Sequence, residues 1–217
     1  MRVLTRLDIK GPNVVKTVRT EGLRVVGNPK ELTERYYQEG ADELIYMDIV
    51  ASLYQRNLDF DQLKAVSENI FIPLTAGGGI RSLHDIGMAL RSGADKVAIN
   101  TYAIKDPEFI RKAAEIYGSQ CIVLSIEAKK ISEGKWEAYT DGGRERTGVD
   151  VVEWIKKGIE LGAGEIMLTS IDADGTRAGY DIELIKEAIA HSSVPVSYTH
   201  LRAHETKANL VCRLLLE

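Results

Sequence analysis

The chain has 217 residues, 44% of them hydrophobic, with 28 Lys and Arg against 32 Asp and Glu for a net charge of −4. That balance excludes a disordered chain and an electrostatic binder of nucleic acid. Two cysteines make no disulfide framework, no apolar run reaches the roughly 18 residues of a membrane span, and no signal-peptide core follows Met1, so a cytoplasmic protein without a membrane partner is expected.

Short β-rich runs alternate with capped amphipathic helices, the pattern of a parallel α/β fold. Arg2 to Asp8 reads as a first strand. Asn28-Pro29 opens a helix with a cap residue followed by Pro, and Gly40 closes it. A strand over Glu43 to Asp48, a helix near Asp59 to Ser67 and a strand over Phe71 to Thr75 follow. Ser82 caps a helix ending at Gly93, and Lys96 to Asn100 is the next strand. Asp106-Pro107 repeats the cap-plus-Pro signal, with a stop at Gly118. Beyond it come a strand over Cys121 to Ile126 and a charged hairpin around Trp136 to Thr140. A helix over Val149 to Leu161, a strand over Glu165 to Thr169 and a helix over Asp181 to Ala190 lead to Val194-Pro195-Val196, the opening of a seventh strand. Nearly continuous apolar strands suit a parallel sheet covered on both faces, doubly wound or closed.

An internal repeat favours closure. Gly40-Ala41-Asp42-Glu43-Leu44 echoes Gly162-Ala163-Gly164-Glu165-Ile166, and Ile72-Pro73-Leu74 echoes Val194-Pro195-Val196, both at an offset of 122. Asp8-Ile9-Lys10 echoes Glu127-Ala128-Lys129 at 119. A duplicated four-strand unit points to a (β/α)8 barrel made of two halves. The repeat calls for a Gly-rich turn after Val196, and the sequence has Ser197-Tyr198-Thr199-His200-Leu201 instead. The run from Val196 to Thr206 resembles an in-frame translation of a common sequencing-adapter end. Residues 1–196 are therefore expected to be a partial barrel of about six βα units plus the start of strand seven. Residues 197–217 are expected to be a non-native tail, and the open barrel to leave strand edges unpaired and the chain poorly soluble.

Reactive residues of such barrels sit at the C-terminal ends of the strands. Asp8 and Glu127 hold that position as symmetry mates, and two facing carboxylates can divide acid and base roles. A lone strand-end acid is ordinarily a loop cap; the symmetric pair is what points to catalysis. Gly77-Gly78-Gly79 exposes backbone N–H groups to a phosphate, with Asn100-Thr101 adding an amide and a hydroxyl, although glycine turns also arise for steric reasons alone. The second half offers Thr169-Ser170 and Asp174-Gly175-Thr176 at the matching rim. At the opposite end Arg2, Glu43, Lys96 and Glu165 can form a salt-bridged ring, either structural or a gate at a partner interface. His84 and His191 stand alone on predicted helices, and His200 and His204 have no third ligand, so neither metal nor cofactor is expected.

Together these segments resemble the cyclase subunit of imidazole glycerol phosphate synthase. The likeness spans about residues 2 to 196 and rests on Leu7-Asp8-Ile9-Lys10 with Val14-Val15-Lys16, Asp42-Glu43-Leu44 to Asp48-Ile49, and Gly77-Gly78-Gly79-Ile80. It rests equally on Gly93-Ala94-Asp95-Lys96-Val97 to Asn100-Thr101, Gly118-Ser119-Gln120, and Gly162-Ala163-Gly164-Glu165 to Gly175-Thr176. It implies a histidine-biosynthesis enzyme that takes ammonia from a glutaminase subunit. A bis-phosphorylated ribulosyl aminoimidazole carboxamide is converted to imidazole glycerol phosphate and aminoimidazole carboxamide ribotide. By motif position Asp8 and Glu127 are the catalytic acids, and Lys16 contacts substrate from a loop after strand one. Gly78, Gly79, Asn100 and Thr101 hold one phosphate, Asp174 and Gly175 lie near the other, and Asp48 and Thr169 line the pocket. Arg2, Glu43, Lys96 and Glu165 match the ammonia gate, and Asp95 the glutaminase docking surface. The family has Asp where Glu127 stands, and Thr5-Arg6 and Gly11-Pro12 also depart from its pattern. A related subunit delivering ammonia in glycan amidination, the sister isomerase of the same pathway, and a barrel that only docks a glutaminase are the other readings.

Overall fold

The computed structural model describes residues 2–18, 21–176, 179–199 and 210–214, with backbone alone at 2, 18, 21, 22, 199 and 210–214. The first half comprises β1 (Arg2–Lys10), β2 (Asn13–Val18), β3 (Glu21–Gly27), α1 (Pro29–Gln38), β4 (Glu43–Asp48), α2 (Phe60–Ser67), β5 (Leu74–Gly77), α3 (Leu83–Arg91), β6 (Lys96–Ile99), α4 (Thr101–Lys105) and α5 (Glu108–Tyr117). The second comprises β7 (Ile122–Ser132), β8 (Lys135–Thr140), β9 (Glu145–Asp150), α6 (Val151–Glu160), β10 (Glu165–Ser170), α7 (Ile182–Ala190), β11 (Val196–Thr199) and β12 (Leu210–Leu214).

Side-chain caps set the helix starts. Asn28 accepts from the amides of Lys30 and Glu31, Asp59 from Gln62, and Asp150 from Val152 and Glu153. Ser82 and Asp85 form a reciprocal capping box. Each such cap satisfies amide groups that the first helical turn cannot. Asp106 provides no side-chain cap for α5, and α4, which precedes it, has no counterpart in the sequence pattern.

Strands β1, β4, β5, β6, β7, β10 and β11 pair in parallel around a curled sheet, and β10 pairs back onto β7. This is an incomplete (β/α)8 barrel of six βα units and a seventh strand. Two apolar cores explain the continuous hydrophobic strands. Leu4, Ile45, Met47, Ala98, Val123 and Met167 fill the barrel interior. Leu7, Leu44, Tyr46, Val97, Leu124 and Leu168, one residue out of phase, belong to the larger core that includes the helices.

Each half carries an off-barrel hairpin after its first strand: β2–β3 extends β1, and β8–β9 extends β7. The first replaces the loop expected there. Strand β5 begins at Leu74 and not at Phe71, which is 82% exposed; Pro73 has no N–H for the ladder. The strand signal that fades at Ser197 continues in space to Thr199, and Ser197 and Tyr198 are buried. The unpaired seam expected from the sequence is not found, because β12 runs antiparallel to both β11 and β1 and fills the eighth place. The remainder of the expected tail, 200–209 and 215–217, lies outside the described residues. No helix is long and apolar enough to cross a membrane among the described residues.

Candidate active site at the barrel mouth

Alternation along β1 puts Leu4, Arg6 and Asp8 on the inner face, and the same period puts Val123, Ser125 and Glu127 on that of β7. Asp8 and Glu127 thus enter the mouth from the two half-barrels, as the repeat predicts. Their surroundings differ. Arg6 Nε donates to Asp8 Oδ1 at 2.7 Å, and Arg6 Nη1 to Thr169 Oγ1 at 3.2 Å. Glu127 Oε2 accepts from Asn100 Nδ2 at 3.0 Å and from the Gly143 amide at 2.8 Å, on the β8–β9 turn. Burial pushes the Glu127 carboxyl up to about 7; the charges of Asp8 and Asp141 add to the rise, and Arg6 and the Gly143 amide oppose it.

Lys16 lies on β2, not in an irregular loop. Its Nζ is buried and makes no hydrogen bond among the described residues. Burial lowers its pKa to about 8, with Arg6 acting in the same direction against Asp8 and Asp174. Thr17, next along β2, donates to Asp174 Oδ2 at 3.2 Å, tying the hairpin to the rim after β10. Gly175 has φ +66°, which a side chain rarely adopts.

A cleft of about 200 Å³ opens beside the pair, lined by Arg6, Asp48, Gly78, Gly79, Asn100, Thr101 and Glu127 among others. Asp8, Thr169 and Asp174 line a smaller adjoining recess with Arg6 and Glu127. Asp48 pairs with Arg56 at 2.6 Å and caps the Val50 amide, while burial holds its carboxyl above the usual range. A Cβ on Gly78 would come within 2.1 Å of the Asp48 carbonyl oxygen, and one on Gly79 within 2.5 Å of that of Arg56. Close packing alone therefore compels glycine in this turn. Thr101 Oγ1 accepts from the Asp141 amide at 3.1 Å.

At the other end of the barrel Lys96 Nζ donates to Glu43 Oε2 at 3.0 Å and to Glu165 Oε2 at 2.8 Å, joining acids from both halves. Ser197 Oγ donates to Glu165 Oε1 at 2.6 Å. Arg2 shares that rim by its place at the start of β1; its side chain is outside the described residues. Asp95 Oδ2 accepts the Leu74 amide at 2.8 Å, and it borders a hollow shared with Phe71 and Pro73. No group of three or more His, Cys, Asp and Glu side chains suited to a metal occurs among the described residues.

Sequence reasoning placed the carboxylate pair but passed over Arg6 and Gly143 as site members. The alternation of β1 carries a signal for Arg6, a cation in phase with Leu4 and Asp8. Nothing local marks Gly143, which reaches Glu127 only because β8 and β9 fold back over the mouth.

Residues 2–199 match the family model described as "Histidine biosynthesis protein". The chain is 59% identical over 196 residues to imidazole glycerol phosphate synthase subunit HisF of Legionella pneumophila, covering 90% of this chain and 92% of that one. It is 48% identical over 195 residues to the HisF subunit of Bacillus cereus strain G9842, covering 90% and 77%.

Proposed function

The chain belongs to the histidine biosynthesis protein family, and from that premise we propose that it works as the cyclase subunit of imidazole glycerol phosphate synthase, a lyase. Ammonia comes from a glutaminase subunit docked at the β-strand starts, where Asp95 lies. It passes the gate of Arg2, Glu43, Lys96 and Glu165. The substrate is the bis-phosphorylated ribulosyl aminoimidazole carboxamide, and the setting is the cytoplasm.

The observation that carries this reading is the pair of acids in unlike surroundings, Asp8 against Arg6 and Glu127 under two N–H donors. Asp8, held by the guanidinium, accepts a proton from ammonia nitrogen as it adds to the substrate carbonyl. Glu127, with its pKa about 7, donates a proton to the departing oxygen and recovers it during ring closure. Lys16 attracts an anionic substrate from above the mouth. Gly78, Gly79, Asn100 and Thr101 receive one phosphate, Asp174 and Gly175 border the other, and Asp48 and Thr169 shape the cleft.

The test supplies free ammonium salt as nitrogen source and follows ring closure. Turnover that is lost in Asp8→Asn supports the assignment; full activity in that variant overturns the role of Asp8, and no turnover in the parent chain overturns the cyclase reading.

A further inference from the structure

Arg6 enters the proposed chemistry only as the group beside Asp8. The side chain is 5% exposed, on a face that Leu4 begins as apolar core. An ionised group in such a place carries a large desolvation cost, which only good partners offset. Its partners come from three strands of both half-barrels: Asp8 at 2.7 Å on its own strand, Thr169 at 3.2 Å on β10, and the charge of Glu127 on β7. A guanidinium presents its N–H groups in a fixed plane, so two simultaneous bonds hold it, and the carboxylate it binds, in one orientation. Arg6 also borders both the cleft and the recess beside Asp8.

We propose that Arg6 is a positioning residue that orients the Asp8 carboxylate for proton transfer and couples it electrostatically to Glu127 across the barrel axis. A merely space-filling residue would need neither the anchor on Thr169 nor a charge. Glu127, on the facing strand of the other half-barrel, lies within the electrostatic reach of this cation. The kinetic arm rests on the cyclase reading; the titration arm does not.

The experiment compares the parent chain with Arg6→Met, Arg6→Lys and Thr169→Val. In ammonium-dependent turnover, Arg6→Met lowers kcat on the order of 100-fold, the scale of a misplaced catalytic group, and changes KM far less. Arg6→Lys keeps the charge and loses the planar fork, so it restores the pH profile more than it restores kcat. Thr169→Val keeps the cation and removes its anchor, giving a smaller kcat loss with the pH profile unmoved. Independently of activity, carboxyl carbon-13 NMR follows Glu127: its midpoint near 7 rises in Arg6→Met, because the opposing cation is gone, and stays near the parent value in Arg6→Lys. If Arg6→Met leaves both kcat and the Glu127 midpoint unchanged, the proposal is wrong. If the parent chain has no turnover, the cyclase reading fails and the NMR midpoint alone decides the role of Arg6. If Arg6→Met does not fold, Arg6→Lys and Thr169→Val decide it: parent-like kcat in both refutes it.

Discussion

Each end of the barrel sets a cation between acids of the two half-barrels, and the two ends behave differently because their bonds are completed differently. At the strand starts Lys96 is bonded to both Glu43 and Glu165, and Ser197 adds a donor to Glu165. At the mouth Arg6 is bonded to Asp8 and Thr169 and acts on Glu127 through its charge, and the Lys16 Nζ and Asn100 Oδ1 nearby have no hydrogen-bond partner among the described residues. A closed arrangement of charges is a seal, or a gate when a partner disturbs it. An arrangement with an acid titrating near 7 and a buried lysine titrating near 8 has protons to exchange at physiological pH.

The strongest way to break this contrast is at Asp8. Asp8→Asn is expected to lower ammonium-dependent kcat by roughly 10²–10⁴-fold, the usual worth of a general base, measured by steady-state ring closure. At the other end Lys96→Met leaves two buried acids facing each other and is expected to cost about 3–5 kcal/mol in denaturant unfolding. Adding Glu43→Gln and Glu165→Gln to Lys96→Met recovers much of that loss if the cluster's charges, and not its packing, are at stake.

The Glu127 carboxyl sharpens the contrast through pH. Its folded pKa, about 7, lies above the ordinary glutamate value, so the folded state binds the proton more tightly than the unfolded chain. Its stabilising share is complete below about pH 4.5 and is lost as pH rises to about 7, a swing of about 3 kcal/mol that Glu127→Gln should abolish in unfolding measured across that range. Lys16 has the opposite sign: its folded pKa of about 8 lies below the usual lysine value, so its burial cost is full below pH 8 and fades toward 10.5. Lys16→Met should therefore raise the midpoint of thermal unfolding at pH 7 and lose that advantage at pH 10. The smallest effect belongs to the scaffold away from both ends, where Asn28→Ala removes the cap of α1 and costs about 1 kcal/mol.

Much of this architecture was legible in the chain. Nearly continuous apolar strands, cap residues such as Asn28 and Ser82, and the 122-residue echo are local or self-similar signals. They follow from backbone stereochemistry and therefore need no knowledge of the fold. They led to the barrel, to the facing acids and to the cluster at the strand starts. The tertiary structure alone decided how those charges pair: that one lysine bridges two acids while Arg6 turns to Asp8, and that Gly143 arrives from a hairpin to donate to Glu127. It also decided that Gly78 and Gly79 are compelled by neighbouring carbonyl groups, that Lys16 sits in a strand with its ammonium buried, and that β12 occupies the eighth place. These outcomes depend on which groups from distant segments share a desolvated volume, and the energy of a buried charge is set by such neighbours more than by the residue itself.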